Sequence, residues 1–288
     1  MSGVRVPDSP PNSIVAPEAR LNGLRFAAAP LLKWAASTLR GALSRRRHYL
    51  FLTPPFVHRQ RLYSKRSGRL LEFHVRDATD LAVMAQIYRS EDYDLSRLGR
   101  WSDIEARYRG MSAEAPQPLI LDCGANIGAS ARYFAEQFPL AKILALEPQA
   151  DNFRLLERNC SGHAGIVPLQ AAVASQDKRG ALLDPGEGNW GFRVAEREGG
   201  EIELLSINSL LARGEGAPFI VKIDIEGFEA ELFSRNLEWL DRFYVLIIEL
   251  HDWMLPRQRS SQSFLRAIGA LDRDFLYAGE NVFSIANR

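Results

Sequence analysis

Residues 119–130, Leu-Ile-Leu-Asp-Cys-Gly-Ala-Asn-Ile-Gly-Ala-Ser, join a run of apolar residues to a loop that contains two glycines. A short, uniformly apolar run is typical of a strand buried on both faces, and glycine allows the sharp turn that a following helix requires. The free N–H groups at the start of such a helix can bind a ligand. The segment therefore predicts a strand, a turn and a helix with a ligand site at the turn.

Further apolar runs alternate with helical stretches after this loop, as in a parallel sheet with helices on both faces. The predicted strands are 119–123, 142–147, 166–173, 219–225 and 243–250, and a closing hairpin spans 275–285. One predicted helix follows the glycine loop and ends at residue 138. Three further predicted helices span 151–160, 229–235 and 263–271. Residues 175–205 are rich in glycine and charge, and we expect short extra strands there and a turn at 184–188.

The net charge of +1 over 288 residues hides an uneven distribution. Residues 1–70 contain 13 basic and two acidic side chains, a local charge of +11, whereas residues 71–288 carry −10. The hydrophobic fraction of 46% is ordinary for a globular protein and excludes wholesale disorder. We therefore expect a basic, partly flexible N-terminal arm over 1–70 and a folded domain over 71–288.

Targeting features are weak throughout the chain. Two cysteines are too few for a disulfide framework, and residues 1–17 lack the apolar core of a signal peptide. No run of 18 uncharged apolar residues is present, so no membrane span is predicted. We expect a cytoplasmic protein that is at most peripheral to a membrane.

The arm has a helical pattern of its own, starting at Leu31. Apolar residues recur at helical spacing at Leu32, Ala36, Leu39 and Leu43. Lys33, Arg40 and Arg47 fall on a neighbouring face of the predicted helix. Two interpretations stay open: the helix binds an anionic membrane surface or an acidic protein partner, or it packs on the domain as a lid. Residues 59–69 are expected to form a basic linker, and residues 80–88 a capped helix.

An acidic residue follows the glycine loop at the distance typical of nucleoside-binding domains. Glu147 ends the second predicted strand, 19 residues after Gly128, where a carboxylate can accept hydrogen bonds from both ribose hydroxyls. The loop has the spacing Gly-x-x-x-Gly, not the Gly-x-Gly-x-x-Gly of nicotinamide-dependent enzymes. The sequence therefore favours a nucleoside cofactor and disfavours a Rossmann oxidoreductase.

Taken together, these segments resemble the FkbM family of S-adenosylmethionine-dependent methyltransferases. The resemblance covers about residues 75–285, and its most specific part is Lys222-Ile-Asp-Ile-Glu-Gly-Phe-Glu229. Other matching segments are 119–130, 145–148, 170–173 and 248–251. The resemblance implies an α/β, Rossmann-like class I methyltransferase domain with a seven-stranded, mostly parallel sheet. It also implies methyl transfer from S-adenosylmethionine, usually to a hydroxyl oxygen of a sugar, glycan or natural product.

The predicted site lies where the strands end. The expected cofactor-binding residues are Asp122, Gly124, Asn126, Gly128, Ser130, Glu147, Ala172 and Asp224. The expected catalytic residues are Asp224, Glu249 and His251. Asp224 would hold the cofactor amino group or the acceptor, and either Glu249 or His251 would be the general base.

Alternatives stay open for several side chains near this site. His251 can be a structural histidine, Glu226 and Glu229 can be carboxylates that start a helix, and Trp190 and Phe192 can be packing aromatics instead of an acceptor wall. A carboxylate cluster can also hold a divalent cation, but no ligand spacing demands one and we predict no metal ligand.

Two further functional classes compete with the methyltransferase prediction. A non-catalytic cofactor-binding or scaffold protein could share the fold, but the glycine loop, Glu147 and the strand-end acids are all present. Nucleic-acid methylation would place an Asn/Asp-Pro-Pro-Tyr/Phe signature after the fourth strand, where Asp224-Ile-Glu-Gly227 stands instead. We therefore expect a small-molecule or glycan acceptor and no nucleic-acid partner.

Overall fold

A computed structural model describes residues 31–113, 116–183, 193–196, 199–214, 216–254 and 256–288. The predicted turn at 184–188 lies outside these residues, as do Trp190 and Phe192 and the first 30 residues of the arm.

Within the described residues, helices and strands alternate along most of the chain. The strands are β1 (Tyr49–Phe51), β2 (Arg59–Ser64), β3 (Leu70–His74), β4 (Pro118–Cys123), β5 (Lys142–Leu146), β6 (Ile166–Leu169), β7 (Ala172–Ala174), β8 (Lys178–Leu183), β9 (Arg193–Glu196), β10 (Ile202–Ser206), β11 (Ala217–Ile223), β12 (Val245–Glu249), β13 (Arg273–Ala278) and β14 (Asn281–Ala286). The helices are α1 (31–43), α2 (Ala78–Ala85), α3 (Trp101–Ser112), α4 (Ala129–Gln137), α5 (Ala150–Cys160), α6 (Ile207–Ala212), α7 (Glu229–Leu232) and α8 (Gln262–Ile268).

The central sheet has seven strands in the order β13-β14-β12-β11-β4-β5-β6. The neighbouring strands pair in parallel from β12 through β6, and β14 runs antiparallel to both β12 and β13. This confirms the predicted mostly parallel sheet of seven strands. β4 lies between β5, the next strand along the chain, and β11, to which the chain returns later. The strand order therefore reverses between β4 and β11, and the switch point of the sheet lies at their carboxyl ends.

Helices cover both faces of this sheet because its strands are apolar on both sides. Ile120 and Leu121 are neighbours in β4, and strand alternation sends them into two different core clusters. The first cluster contains side chains of α2 to α5, such as Phe134, and the second contains side chains of α6 to α8, such as Phe264. The predicted three-layer architecture is therefore confirmed.

The prediction of a basic linker at 59–69 is wrong. Residues Arg59–Ser64 form β2, the middle strand of a three-stranded antiparallel sheet. Its outward Arg59 and Arg61 both pair with Glu72 on β3, while the alternate residue Leu62 is fully buried in the first core cluster. The outward-facing arginines gave the segment its basic composition and concealed the strand. The predicted division between residues 70 and 71 falls inside β3, directly after its first residue Leu70.

The strand predicted at 166–173 is two strands in two sheets. β6 ends at Leu169, where the Ala171 N–H donates to the Leu169 carbonyl over 3.0 Å in a tight turn. β7 then joins a separate sheet with the order β7-β10-β8-β9. Strands β8, β9 and β10 confirm the extra strands expected within residues 175–205.

The helices predicted from Leu31 and over 80–88 are both present. The helix expected over 80–88 starts earlier, at Ala78, because the Asp77 carboxylate accepts hydrogen bonds from the N–H groups of Thr79 and Asp80.

Among the described residues, no helix combines the length and the apolar character that a membrane span requires.

Candidate active site

The glycine loop turns at the switch point of the sheet and requires its glycines there. Gly124 and Gly128 have φ angles of +86° and +84°, a region that favours glycine. A Cβ atom on Gly124 would lie 1.8 Å from the Asp224 carbonyl oxygen, and one on Gly128 would lie 2.9 Å from the Cys160 Sγ. Gly124 therefore allows the end of β4 to approach the end of β11 closely.

We expect Gly124→Ala to lower the free energy of unfolding by about 3 kcal/mol or more, because the methyl group meets backbone as well as an unfavourable φ. Gly68→Ala is the matched control: Gly68 has a φ of +68° but open space around it. That control should cost only the backbone strain of about 1–2 kcal/mol. Chemical denaturation of both variants measures the difference, and equal losses would contradict the close approach.

A cavity of about 300 Å³ lies between the glycine loop, the ends of β5, β11 and β12, and helix α2. Most of the predicted cofactor-binding residues line it, namely Gly124, Asn126, Ser130, Glu147, Ala172 and Asp224. Glu249 from the predicted catalytic set also lines the cavity, together with Glu226. Asp122 and Gly128 are not among the described residues that line it.

Glu147 is a buried carboxylate held at the cavity wall by backbone amides. Its Oε2 accepts from the Asn126 N–H over 2.9 Å, and its Oε1 accepts from the Gln149 N–H over 2.9 Å. Burial raises the pKa of Glu147 to about 7, although these hydrogen bonds act in the opposite direction. Oε1 also accepts a long hydrogen bond from Asn152 Nδ2 at 3.5 Å, so the lone pair through which Glu147 can accept from a ligand most directly is on Oε2.

Lys222 is a buried cation whose role the sequence analysis missed. Its side chain is 2% exposed, and its Nζ donates to the Gly124 carbonyl over 2.6 Å. The same Nζ lies 3.3 Å from Asp122 Oδ1 and 3.4 Å from Asp224 Oδ2. Burial alone would lower the pKa of Lys222, but Tyr93, Asp122 and Asp224 raise it well above its ordinary value. The lysine within an otherwise apolar strand was the available signal.

Asp122 and Gly128 support the loop from behind. The second oxygen of Asp122 accepts a hydrogen bond from Ser130 Oγ over 2.6 Å, so this carboxylate joins Lys222 to the first turn of α4. Gly128 packs against Leu156 and Cys160 of α5. From these contacts we expect Asp122 and Gly128 to position the glycine loop.

His251 is buried and forms a pair with Glu229. Its Nδ1 lies 2.7 Å from Glu229 Oε1, and both side chains are almost completely buried. Glu229 is also the first residue of α7, so it has the helix-start position that was one alternative for it. Burial alone would lower the pKa of His251, but the hydrogen bond and charge of Glu229, with the charges of Asp224 and Glu226, raise it to about 9.

Three carboxylates converge on the other nitrogen of this imidazole. The distances from His251 Nε2 are 3.7 Å to Asp224 Oδ1, 3.6 Å to Glu226 Oε2 and 3.7 Å to Glu249 Oε1. Burial and the charge of Asp224 raise the pKa of Glu226 to about 8 and that of Glu249 to about 7. Carboxylates with pKa values near neutrality can accept a proton during a reaction.

The donor set of this cluster also suits a divalent cation. One ligand atom each from Asp224, Glu249 and His251 lie within 4.8 Å of one another. Oxygen ligands of this type bind Mg²⁺ or Ca²⁺. Lys222 and His251 both bring positive charge to Asp224, which is one of these candidate ligands.

We expect Glu229→Gln to lower the pKa of His251 from about 9 toward its ordinary value of 6.5, because an amide stabilises the imidazolium less than a carboxylate does. A group whose pKa is raised on folding stabilises the protein fully below pH 6.5 and loses that contribution as the pH rises through 9. The variant should therefore lose less stability than the wild type over this window. An NMR titration of His251 and denaturation at several pH values measure both effects. Glu238→Gln, at an exposed carboxylate, should change neither, and an unchanged His251 pKa in Glu229→Gln would contradict the pairing.

Comparisons with known proteins agree with this architecture. A family model described as "Methyltransferase FkbM domain" matches residues 122–277, more than half of the chain. The chain is 28% identical over 142 residues to the hexuronic acid methyltransferase AglP of Haloferax volcanii, with 48% of this chain and 58% of that protein covered. It is 28% identical over 154 residues to the methyltransferase sdnD of Sordaria araneosa, with 41% of this chain and 60% of that protein covered. The chain thus spans about three fifths of the length of these curated relatives.

Solved structures similar to this chain are more distant. A putative O-methyltransferase from Klebsiella pneumoniae is 13% identical with a TM-score of 0.39, and the match covers 74% of this chain and 92% of that one. A fibrillarin pre-rRNA processing protein from Methanococcus jannaschii is 12% identical with a TM-score of 0.36, covering 58% of this chain and 66% of that one. At these scores, the fold assignment rests on the strand order and on the family match.

Proposed function

Because the chain belongs to the family of methyltransferases that share the FkbM domain, we propose that it transfers methyl from S-adenosylmethionine to a hydroxyl oxygen of a sugar, glycan or natural product. The observation that carries this proposal is the cavity itself. It joins a glycine loop and the buried acceptor Glu147 on one side to the carboxylates Asp224, Glu226 and Glu249 on the other. The name of one curated relative, a hexuronic acid methyltransferase, supports a sugar acceptor.

The residues that line the cavity suit the parts of the cofactor. Glu147 would accept hydrogen bonds from the two ribose hydroxyls, and Ala172 would contact the adenine. The N–H groups at the start of α4, including that of Ser130, and the side chain of Asn126 would bind the methionine carboxylate. Asp224 would bind the ammonium group, since its carboxylate lines the cavity at the end of β11. Asp122, Gly128 and Lys222 would position the loop.

S-adenosylmethionine would supply a methyl group made electrophilic by its sulfonium centre. The acceptor oxygen would form a bond to the methyl carbon as the carbon–sulfur bond breaks, and the electron pair of that bond would stay on sulfur. The hydroxyl proton passes to a carboxylate of the cluster, which leaves an ether and a neutral thioether. In-line displacement of this kind depends mainly on alignment of the reacting atoms.

Glu249 is our candidate for the base that takes this proton. The carboxylates around His251 raise its pKa to about 9, which favours the protonated imidazole at neutral pH and disfavours His251 as the base. The pKa of Glu249 is about 7, and Glu249 lines the cavity. His251 would instead stabilise negative charge on Glu249 and on its neighbour Glu226.

We expect Glu147→Ala to weaken S-adenosylhomocysteine binding by about 100-fold or more, because two hydrogen bonds to a charged acceptor are lost at about 1.5–3 kcal/mol each. Glu157→Ala, on the exposed side of the neighbouring α5, is the matched control and should bind normally. Isothermal titration calorimetry measures the affinities. Wild-type affinity in the Glu147 variant would contradict this cofactor site.

The same purified protein distinguishes the competing functions. A ligand present at 100 times its dissociation constant stabilises a protein by about 2.7 kcal/mol, which a thermal-shift assay detects. S-adenosylmethionine should stabilise the chain and NAD should not. Stabilisation by NAD alone would favour an oxidoreductase and overturn the proposal.

We expect Glu249→Gln to lower turnover by about 100-fold or more while the affinity for S-adenosylhomocysteine changes little, because general-base catalysis contributes about that factor. Release of S-adenosylhomocysteine with a panel of hexoses, uronic acids and glycosides measures turnover. Glu238→Gln, remote from the cavity, is the control and should be fully active. Full activity in Glu249→Gln would exclude Glu249 as the base, and a wild type that binds cofactor but methylates no acceptor would favour a scaffold protein.

A further inference from the structure

Helix α1 turns its leucines away from the protein. Leu32, Leu39 and Leu43 are 69%, 63% and 79% exposed, although their spacing places them on one face of the helix. The opposite face, with Trp34, Thr38 and Gly41, lies against the domain instead. A lid helix would bury its leucines, so the lid interpretation does not account for this orientation. A contiguous exposed apolar stripe commonly marks an interaction surface.

Specific contacts fix α1 in this orientation. Thr38 Oγ1 donates to the Phe51 carbonyl of β1 over 2.9 Å. Gly41 lies so close to β1 that an added Cβ atom would be 3.0 Å from the Leu50 Cδ2. Lys65 Nζ donates to the Gly41 and Ser44 carbonyls, each over 2.8 Å, and so caps the carboxyl end of the helix with positive charge. Burying the leucines would break these contacts.

The exposed stripe is bordered by positive charge only. Residues 31–47 contain five basic and no acidic residues. Lys33, Arg40, Arg45 and Arg46 are all exposed. Two copies of this surface would repel each other, which disfavours self-association through α1. Leucines bordered by basic side chains match the boundary between anionic lipid headgroups and acyl chains.

We propose that α1 lies on the surface of an anionic membrane, with Leu32, Leu39 and Leu43 in the acyl boundary and the basic residues beside the headgroups. The described part of the helix, residues 31–43, is too short and too polar to cross the bilayer, so it would lie flat on the surface. This attachment does not depend on the methyl-transfer proposal, because α1 does not line the cavity at the sheet.

The test is co-sedimentation of the full chain with phosphatidylcholine vesicles that do or do not contain phosphatidylserine. The wild type should bind the anionic vesicles, and binding should fall as salt is added because the charges are exposed. Leu39→Ser with Leu43→Ser should weaken binding by about 10-fold or more, since two large apolar groups no longer leave water. Arg45→Ala with Arg46→Ala should weaken it by about 25-fold, at about 1 kcal/mol for each charge.

The matched control is Leu140→Ser with Leu265→Ser, two leucines that are 53% and 54% exposed elsewhere on the domain. This variant should bind vesicles as the wild type does, and all variants should keep the wild-type melting temperature and S-adenosylhomocysteine affinity. Absence of vesicle binding by the wild type would overturn the proposal, as would equal binding by the Leu39/Leu43 variant. A dimer in sedimentation equilibrium that those two substitutions dissociate would also overturn it, in favour of an interface between copies.

Discussion

The geometry of the site depends on the buried ammonium group of Lys222. It bridges the ends of β4 and β11, through the Gly124 carbonyl on one strand end and Asp224 on the other. A buried charge is tolerated only when its partners are close and well placed, and removing one partner leaves an uncompensated charge at a cost of about 3–5 kcal/mol. Lys222 therefore ties together the glycine loop, Asp122 beneath it and the carboxylate cluster beside it.

Most of the fold could be predicted because parallel strands buried on both faces have a distinctive apolar composition. β4 and β12 are buried at every residue and were predicted almost to their ends. β2 was missed because its two exposed side chains, Arg59 and Arg61, are basic. α3 was missed because charged residues interrupt its apolar positions, of which Ile104 alone is fully buried among its described side chains.

The position of the site could be predicted from the sequence, but the pairing and the protonation of its side chains could not. Strand ends and a switch point are properties of topology, which alternating strands and helices indicate. The pairing of His251 with Glu229 depends instead on how the turn after β11 returns the chain, and Glu226 in that turn has a left-handed φ of +52°. Burial then decides which groups hold protons, and burial of a single side chain is not encoded by its neighbours in the sequence.

The two backbone amides that hold Glu147 have a consequence for how the cavity takes up a ligand. A free glutamate side chain has several rotamers, and fixing them on binding costs conformational entropy. In this protein the Asn126 and Gln149 amides already impose one rotamer before any ligand arrives. One amide belongs to the glycine loop and the other directly precedes α5. The Glu147 side chain is therefore as rigid as the end of β5 that it follows. Most of the conformational entropy that is lost on binding is therefore lost by the ligand and not by Glu147.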